Sequence, residues 1–360
     1  MKVSVRFFVL LFCCFSFAGI AQQGTPQVQT TPTPGGSAGA PGADRRITLD
    51  VVVTDHSGKP VPGLQQEDFT LLDNKQPQPI VDFRAADGSN RAADPPLQSI
   101  VIFDSLNAPF EYVSYQGEQL KGYLQRGGGE LPLRTSLVFL TDTSTGQSAI
   151  TQDGNTLVEA MNAKGVGLRT IRRSAGFYGA VERANISSSA LDKLVAYEST
   201  QPGRKLVVWL GPGWPFLSGP NVQLTGQAQE ALFRAIVSLS TGMRKARVTL
   251  YSVDSPSRND PLAREFYYET FVKGVPSANK VQNGNFAVQV LAVQSGGRVL
   301  NSNSAIADSI ASCLDDAKIY YTLTFDSPEA KHPNEYHSLQ IKMGKPGLAA
   351  RTRTGYYAQP

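Results

Sequence analysis

The stretch IVIFDSLNA, residues 100–108, places an aspartate directly after a buried apolar run. The run leads to Asp104, and a short polar segment that contains Asn107 follows. A buried strand that delivers a carboxylate at its C-terminal end is a common start of a binding site in α/β domains. Carboxylate oxygens are also the ligands that hard cations such as Mg²⁺ prefer. The first question is therefore whether Asp104 holds a metal ion.

A second candidate is the aromatic loop GPGWPFLSGPNVQ, residues 211–223, in which Trp214 and Phe216 lie between glycines and prolines. The loop follows the apolar run KLVVWL, which is predicted to be another strand of the same sheet. It therefore falls at the same carboxyl end of the sheet as Asp104. Aromatic side chains on rigid, exposed loops are typical interaction anchors. The alternative is that the rings fold back onto the sheet, because tryptophan is more often partly buried than exposed. The sequence leaves both alternatives open.

Catalytic patterns do not occur in the sequence. His56, His332 and His337 lie in the terminal segments, outside any Cys, Asp or Glu cluster with zinc spacing. The glycines at 127–129 have no downstream Gly-Lys-Ser/Thr, and no G-x-S-x-G segment joins a predicted strand to a helix, since GGSAG at 35–39 lies in the Pro- and Gly-rich stretch near the N-terminus. Cys313 recurs with apolar residues at helical spacing, which predicts core packing. We therefore expect a protein that is not an enzyme.

The middle of the chain alternates continuous apolar runs with helical stretches. The runs are SIVIF, SLVFL, KLVVWL, RVTLYSV and the short GGRVL. Strands that are buried on both faces have unbroken apolar runs, and helices between them imply parallel βαβ units. Helices are predicted in TGQAQEALFRAIVSLSTG, ended by Gly242, and in SSSALDKLVAY, after a serine cap. Residues 97–316 are therefore predicted to form an α/β domain with a mostly parallel sheet flanked by helices.

Both ends of the chain have a β pattern. Residues 46–96 contain short alternating runs separated by Gly, Pro and Asn, and residues 317–360 contain KIYYTLTFD, YHSLQIKM and ARTRTGYYA. Three or four strands alone form a module too small to be stable. We expect the C-terminal strands to pack with the N-terminal β module in one small β-sandwich, into which the middle of the chain is inserted.

The N-terminus predicts export. Residues 1–21, MKVSVRFFVLLFCCFSFAGIA, combine two basic residues, an apolar run and a small-x-small cleavage signature, as a signal peptide does. The apolar run is roughly half of the ~20 residues that a bilayer span needs, so no membrane span is expected after cleavage. Residues 22–45, rich in Pro, Gly and Thr, predict a flexible linker. The mature protein is expected in the periplasm or outside the cell.

The charge of the mature chain disfavours one class of partner. Loss of Lys2 and Arg6 with the signal peptide takes the formal net charge from +4 to +2. A nearly neutral chain has no basic excess that would attract nucleic acid. The same cleavage removes two of the three cysteines, so a disulfide framework is not expected either.

Several segments together resemble a known family. VVVTDHSGKPVPGLQQEDFTLLDNKQPQPIVDF, YYTLTF and RTRTGYYA, around the central α/β pattern, resemble the VWFA-related proteins known mainly from acidobacteria. The resemblance extends over nearly all of the mature chain and implies a von Willebrand factor type A, Rossmann-like fold for the middle. In that fold a divalent cation is held by an Asp-x-Ser-x-Ser segment, a threonine from a second loop and an aspartate from a third. The resemblance also implies adhesion or protein assembly, with a protein or cell-surface partner.

The metal motif of that family is incomplete in this sequence. The first segment reads DSLNA, so Leu106 and Ala108 stand at the two serine positions, and the third loop, LGPGW, has no carboxylate. Asn107 and Asp142 lie close enough in sequence to contribute, but neither matches the motif. One carboxylate with a few neutral oxygens is a poor trap for strongly hydrated Mg²⁺. We expect no metal cofactor, with Asp104 as the residual candidate ligand or, alternatively, a structural acceptor of hydrogen bonds from its own loop.

A long insertion follows Asp254 and extends to about residue 285. Loops of this length are usually functional or disordered. A short helix there would have one apolar side, formed by Phe266, Tyr267, Tyr268 and Phe271. That side either covers the domain or meets a partner, and we favour the covering role.

The sequence as a whole predicts an exported, non-enzymatic module for protein interaction or adhesion, with a type A-like domain that lacks a complete metal site. The alternative is an envelope protein that binds carbohydrate or another polymer through the aromatic loop around Trp214.

Overall fold

Strands from the middle and from both ends of the chain form three sheets. The structure is a computed structural model that describes residues 45–86, 96–142, 145–164, 176–214, 223–254, 264–301 and 305–360. The predicted signal peptide and nearly all of the predicted linker lie outside these residues. In chain order, the strands are β1 (Arg46–Thr54), β2 (Phe69–Asp73), β3 (Gln76–Gln78), β4 (Asp82–Ala86), β5 (Leu97–Asp104), β6 (Glu130–Leu140), β7 (Thr145–Gln147), β8 (Thr151–Asp153), β9 (Arg204–Leu210), β10 (Val248–Val253), β11 (Val299–Leu300), β12 (Tyr320–Asp326), β13 (Glu335–Met343), β14 (Ala349–Arg351) and β15 (Gly355–Ala358). The α-helices are α1 (Phe110–Leu124), α2 (Gly154–Ala163), α3 (Gly176–Glu198), α4 (Gly226–Lys245), α5 (Val288–Gln294) and α6 (Ile306–Leu314).

The central sheet has seven strands in the order β11-β10-β9-β5-β6-β7, and β8 also pairs with β6. The strands β5, β6, β9, β10 and β11 are parallel, whereas β7 and β8 run antiparallel to β6. The five unbroken apolar runs of the sequence correspond to the five parallel strands, and β9 is buried along its whole length. The prediction of a mostly parallel α/β sheet flanked by helices is confirmed, and the short strands β7 and β8 add an antiparallel edge to it.

The order of the strands reverses at β5. From β5 the sheet extends through β6 to β7 on one side, and the chain then returns to build β9, β10 and β11 on the other side. In open α/β sheets, ligands bind in the crevice outside the carboxyl ends of the strands at such a switch point. Asp104, the last residue of β5, lies at this point.

Helices cover both faces of the central sheet. Successive side chains of a strand point to opposite faces, and in β5 Val101 and Phe103 pack with α1, α2 and α6, whereas Ile100 and Ile102 pack with α3, α4 and α5. Cys313 on α6 belongs to the first of these clusters, and burial raises the pKa of its thiol to about 12. None of the helices in the described ranges has the length and apolarity that a bilayer span requires.

The two terminal segments pair with each other in two four-stranded antiparallel sheets. Their strand orders are β14-β1-β12-β4 and β15-β13-β2-β3. Arg46 of β1 lies opposite Asp326 of β12, and β2 pairs with β13. Leu49 and Leu323 from one sheet share a buried core with Leu71 from the other. The chain from β5 to α6 is thus inserted between strands that form a common sandwich.

The end of α4 differs from the prediction. The helix continues through Gly242 to Lys245, and the chain leaves it at Arg247, whose φ of 51° lies in the left-handed region. This conformation usually favours glycine at the end of a helix, but here the Arg247 side chain forms an ion pair with Asp50 of β1. Gly242 serves another purpose, because a Cβ at this position would lie 2.9 Å from Cγ1 of Val195 on α3. It allows α3 and α4 to approach closely.

The start of α3 also differs from the prediction. The helix begins at Gly176, so the serines of SSSALDKLVAY, at 187–189, lie in its interior and do not cap it. Ser187 is fully buried and faces the loop that follows β5. The serine therefore marks a contact between a helix and the sheet edge.

The described part of the insertion after β10, from residue 264 onward, packs against α4 and the sandwich. Its Val275 and Val281 are buried in one cluster with Ile236 of α4 and Tyr357 of β15. The hydroxyl of Tyr357 donates a hydrogen bond to the carbonyl oxygen of Val275 at 3.1 Å. This part of the insertion thus contacts both α4, which covers the central sheet, and β15 of the sandwich.

Candidate functional site

Both carboxylate oxygens of Asp104 accept hydrogen bonds from the surrounding chain. Oδ1 accepts from the backbone N–H of Leu106 at 3.1 Å and from that of Asn107 at 3.0 Å. Oδ2 accepts from the side-chain amide of Asn107 at 2.9 Å and from the indole N–H of Trp209 at 3.0 Å. Asp104 itself is fully buried. The segment after β5 and the neighbouring strand β9 therefore enclose this carboxylate.

Two opposing effects act on the acidity of Asp104. Burial raises the pKa of its carboxyl above the ordinary value, because removal from water disfavours the charged form. The hydrogen bonds from Asn107, Trp209 and Leu106 favour the charged form and counteract part of the rise. These donors replace part of the hydration that the carboxylate loses.

The substituted motif positions belong to the core. Leu106 is 3% exposed and packs on the face of α3, α4 and α5, whereas the fully buried Ala108 packs on the opposite face. The remaining hydroxyl of the segment, on Ser105, donates a hydrogen bond to the carbonyl oxygen of Leu140 at 2.8 Å. The segment thus fastens the ends of β5 and β6 together.

The loop after β9 closes the other side of Asp104. Gly211 has a φ of 134°, and a Cβ there would lie 2.9 Å from Cβ of Asp104. Its backbone N–H donates to the carbonyl oxygen of Val253 at 2.9 Å, which holds the loop against β10. Only glycine fits this approach, so the loop is packed directly onto the carboxylate.

The residues around Asp104 do not fit the divalent cation that the resemblance implies. A cation would have to displace the donors of Asn107 and Trp209, and Leu106 offers no side-chain oxygen. Asp142 is half-buried and lies two residues beyond the end of β6. Among the residues that the structure describes, no three or more His, Cys, Asp or Glu side chains are grouped as a metal site would require. The geometry suits a carboxylate held by hydrogen bonds.

Trp214 does not present its ring to solvent. The side chain is 6% exposed, and its indole N–H donates to the carbonyl oxygen of Phe286 at 2.7 Å. Its ring meets that of Trp209 edge to face at 5.4 Å between centroids. The candidate role of Trp214 as an exposed anchor is therefore corrected, because this hydrogen bond and the packing draw the ring into the core. Phe216 lies outside the described residues.

Two other aromatic side chains are exposed near this edge of the sheet. Phe110, the first residue of α1, follows Asp104 by six positions and is 56% exposed. Tyr178, in the first turn of α3, is 79% exposed. The hydroxyl of Ser187 accepts a hydrogen bond from Asn107 at 2.8 Å, so the middle of α3 is level with the edge. Tyr178 lies nine residues before Ser187 on the same helix. At 1.5 Å per residue, it is roughly 13 Å further along the helix axis, beyond the edge of the sheet.

Phe110 and Tyr178 have no sequence signal as exposed side chains. The spacing of Phe110 to the buried Val113 and Gly117 predicts a place on the packed stripe of α1. Tyr178 precedes the serines at which the sequence predicts the start of α3. Trp209 has the pattern of a strand residue, although it donates to Asp104.

A second buried polar cluster lies inside the sandwich. Nδ1 of His337 lies 2.8 Å from Oδ1 of Asp73, and the hydroxyl of Tyr356 donates to Oδ2 of the same carboxylate at 2.5 Å. These three residues are at most 5% exposed. Burial raises the pKa of the Tyr356 hydroxyl. The cluster ties β2, β13 and β15 together.

Comparisons with known proteins give only weak structural likenesses. No protein-family model matches the chain, and no curated protein matches it. Among solved structures, it is similar to a human COPII-coat protein, with 11% identity, 85% of this chain and 48% of that chain covered, and a TM-score of 0.33. It is also similar to the manganese-loaded TRAP protein of Plasmodium vivax, with 9% identity, 79% and 97% covered, and a TM-score of 0.32. The pilus adhesin SpaC of Lactobacillus rhamnosus GG matches with 8% identity, 73% and 44% covered, and a TM-score of 0.33.

This chain thus spans less than half the length of two of these three proteins. At such TM-scores the likenesses carry no argument about fold or activity. The structure itself shows a mixed α/β fold with a mostly parallel seven-stranded sheet, helices on both faces and flanking antiparallel sheets.

Proposed function

We propose that this chain is an exported, non-enzymatic module that binds a protein or cell-surface partner through the carboxyl edge of its central sheet, without a metal ion. The observation that carries the proposal is the exposure of two aromatic side chains, Phe110 close after the switch-point strand β5 and Tyr178 at the end of α3 that extends beyond the same edge. Large aromatic side chains are enriched among the residues that dominate binding energy at protein interfaces. Exposed ones at a predicted ligand edge therefore suggest an interaction surface.

A type A-like identity of the central sheet is part of the same proposal. The strand order places Asp104 at the switch point, where the resemblance puts the metal segment. The terminal segments that carry the resemblance to VWFA-related proteins form the sandwich strands. Adhesion or assembly with a surface partner is the activity that this identity implies.

Independence from metal rests on the contacts of Asp104. Its donors are the N–H groups of Leu106, Asn107 and Trp209, all of which belong to the chain itself. The edge is therefore organised before any partner arrives, which reduces the ordering cost of binding. We therefore expect the chain to bind its partner in the presence of a chelator.

The surface is tested with a panel of immobilised extracellular-matrix proteins, bacterial envelope proteins and polysaccharides. We expect the full chain to bind a protein of the panel in EDTA, and the double variant Phe110→Ser/Tyr178→Ser to bind it at least about tenfold more weakly. Tyr197→Ser is the matched control, because Tyr197 is 56% exposed at the other end of α3. Equal loss in the control, or binding to polysaccharides alone, would contradict the proposal.

The metal is tested by thermal unfolding in EDTA and then in Mg²⁺, Mn²⁺ or Ca²⁺, beside the variant Asp104→Ala. A cation that binds the native state at one hundred times its dissociation constant adds about 2.7 kcal/mol, which is a shift of several degrees. We expect no shift with any of the three ions. A shift that disappears in Asp104→Ala would show a metal-dependent module.

A further inference from the structure

Arg183 is the last arginine of a basic run in the sequence, LRTIRRSAGFYGAVER, residues 168–183. In sequence such a run is typical either of a solvated face or of a site for carboxylates. Arg169, Arg172 and Arg173 lie outside the described residues. Arg183 belongs to α3, so its surroundings can be examined.

Arg183 lies on the packed side of α3, in the part of the helix that extends beyond the sheet edge. Its neighbours on that side are Ala180, which is 8% exposed, and the fully buried Ser187, three positions before it and four after it. Ser187 accepts the hydrogen bond from Asn107 of the loop after β5. At 1.5 Å per residue, Arg183 is about 6 Å further along the helix axis than Ser187, and Tyr178 lies beyond it. Arg183 is thus placed between the loop after β5 and the exposed ring of Tyr178.

The guanidinium of Arg183 has donors that the chain does not satisfy. Its Nε and Nη1 atoms are shielded from water and have no hydrogen-bond partner among the described residues. In the same ranges, no ion pair joins Arg183 to a carboxylate. A buried donor on a charged group is costly when it lacks an acceptor, and an unmodified native chain rarely leaves one without a ligand or another partner. The half-buried side chain therefore suits an anionic acceptor from outside the chain.

Neither the carboxylate of the sheet edge nor the one next to Arg183 in sequence supplies that acceptor. Asp104 is fully buried, and its oxygens accept from N–H groups of its own loop and of Trp209. Glu182 is exposed and lies about 100° around the helix from Arg183, away from the packed side. The acceptor is therefore left to a partner.

We propose that Arg183 binds a carboxylate side chain, from Asp or Glu, of the protein partner, an inference that rests on the proposed function and its surface at Phe110 and Tyr178. A guanidinium binds a carboxylate through two parallel N–H bonds, and such charge-assisted bonds are stronger than neutral ones. The partly buried setting strengthens the attraction, because the effective dielectric constant is lower than in water. The segment that fits is an acidic residue flanked by apolar ones, which meet the two aromatic rings.

Polysaccharides built from uronic acids also carry carboxylates. Aromatic residues and arginine are the types enriched in the core of protein interfaces. Phe110, Tyr178 and Arg183 bring these types to one edge of the sheet. This combination favours a protein segment as the occupant.

Paired peptides test the proposal with the full chain at physiological salt. The probes are an array of immobilised peptides in which a central Asp is flanked by every pair of Ala, Val, Leu, Ile, Phe and Tyr, each repeated with Asn in place of Asp. The tightest pair is then titrated by fluorescence anisotropy. We expect the Asp peptide to bind at least about tenfold more tightly than its Asn counterpart.

Substitutions assign this preference to Arg183. Arg183→Gln should bind the two peptides equally, and Arg183→Lys should keep only part of the preference, because an ammonium group cannot form the two parallel bonds. Arg234→Gln is the matched control and should keep the whole preference, since Arg234 lies on α4 with a 68% exposed side chain. The variant Phe110→Ser/Tyr178→Ser should weaken both peptides alike and leave their ratio unchanged.

The outcomes separate this inference from the proposed function. Equal binding of the Asp and Asn peptides by the wild type needs no variant and would overturn the role of Arg183, as would the absence of binding to any peptide. A preference for Asp that survives in Arg183→Gln would also overturn it. Binding of polygalacturonate in place of every peptide would do the same, in favour of an acidic polysaccharide. If the aromatic double variant binds both peptides as tightly as the wild type, the proposed surface fails while the preference for Asp stands.

Discussion

The indole N–H of Trp209 is the donor to Asp104 that comes from outside its own loop. We expect Trp209→Phe to lower the free energy of unfolding by about 1 kcal/mol more than Trp214→Phe, measured by denaturant unfolding. Both variants lose a similar volume from a buried site. Only the first also loses a hydrogen bond to a charged group, which contributes about 1.5 to 3 kcal/mol against about 1 kcal/mol for a neutral one. Equal costs would mean that the loop alone satisfies the carboxylate.

The ionisation of Asp104 gives a prediction with a definite sign. Its folded pKa is raised by burial, so the folded state holds the proton more tightly than the unfolded chain, whose carboxyl titrates near about 3.9. The stability contribution of this group is therefore present below that pH and is lost as the pH rises through the folded pKa. We expect the difference in unfolding free energy between wild type and Asp104→Asn, which cannot ionise there, to fall from pH 4 to pH 6. A difference that grows would mean that the hydrogen bonds outweigh burial.

At the residue scale, the sequence predicts the position of Asp104 but not its surroundings. An apolar run that ends in aspartate is visible in the sequence, as is the loss of hydroxyls at Leu106 and Ala108. The partner Trp209 lies 105 residues further along the chain. Its side chain meets Asp104 only because β9 returns to pair with β5. Local patterns cannot give that pairing, and they favour Trp214 as the candidate tryptophan instead.

Substitution of two glycines tests how closely the helices on the central sheet are packed. Gly242→Ala should destabilise the protein by about 1 kcal/mol, because the new methyl meets the stiff side chain of Val195. Gly122→Ala on α1 has nothing within 4 Å of the added Cβ and should stabilise by about 0.5 to 1 kcal/mol through helix propensity. Chemical unfolding of both variants measures the contrast. Stabilisation by both would show that α3 and α4 can move apart at little cost.

At the element scale, the five parallel strands are predictable because burial on both faces leaves unbroken apolar runs. The ends of helices were harder to predict, and α4 shows why. The usual glycine signal pointed to Gly242, whereas the left-handed residue is Arg247, held by Asp50 from the other end of the chain. An ion pair with a distant strand thus stabilises an arginine in the left-handed position that glycine usually occupies. Similar reasoning applies to α3, whose interior serine at 187 contacts the sheet edge.

The whole molecule offers a test of coupling between the sandwich and the inserted domain. Both tryptophans of the chain lie in the inserted domain, in and directly after β9, so their fluorescence reports on that part. Leu323→Ala, in the sandwich core, removes a fully buried side chain and should lower stability by about 2 to 5 kcal/mol. We expect the tryptophan transition to shift together with the far-ultraviolet signal. A tryptophan midpoint that did not move would show that the two parts unfold independently.

At the scale of the molecule, the alternating runs at both ends of the chain predict strands. Each terminal segment has too few strands to be stable alone, so the sequence also predicts that the two segments pack together. Registers such as Arg46 opposite Asp326 could not be predicted, because they depend on how the inserted domain brings the ends together. The charged cluster of Asp50, Arg244, Arg247 and Arg353 has no local signal either, because its members come from three separate stretches of the chain.

The separation of β1 from β12 has a consequence for how the protein is made. Arg46 and Asp326, which face each other across the two strands, are 280 positions apart in the chain. At synthesis rates of about 5 to 20 residues per second, β1 leaves the ribosome roughly 15 to 55 s before its partner exists. During that interval an apolar, alternating strand has both edges open, a condition that promotes aggregation. The newborn chain therefore carries an unpaired first strand until β12 and β14 have been translated.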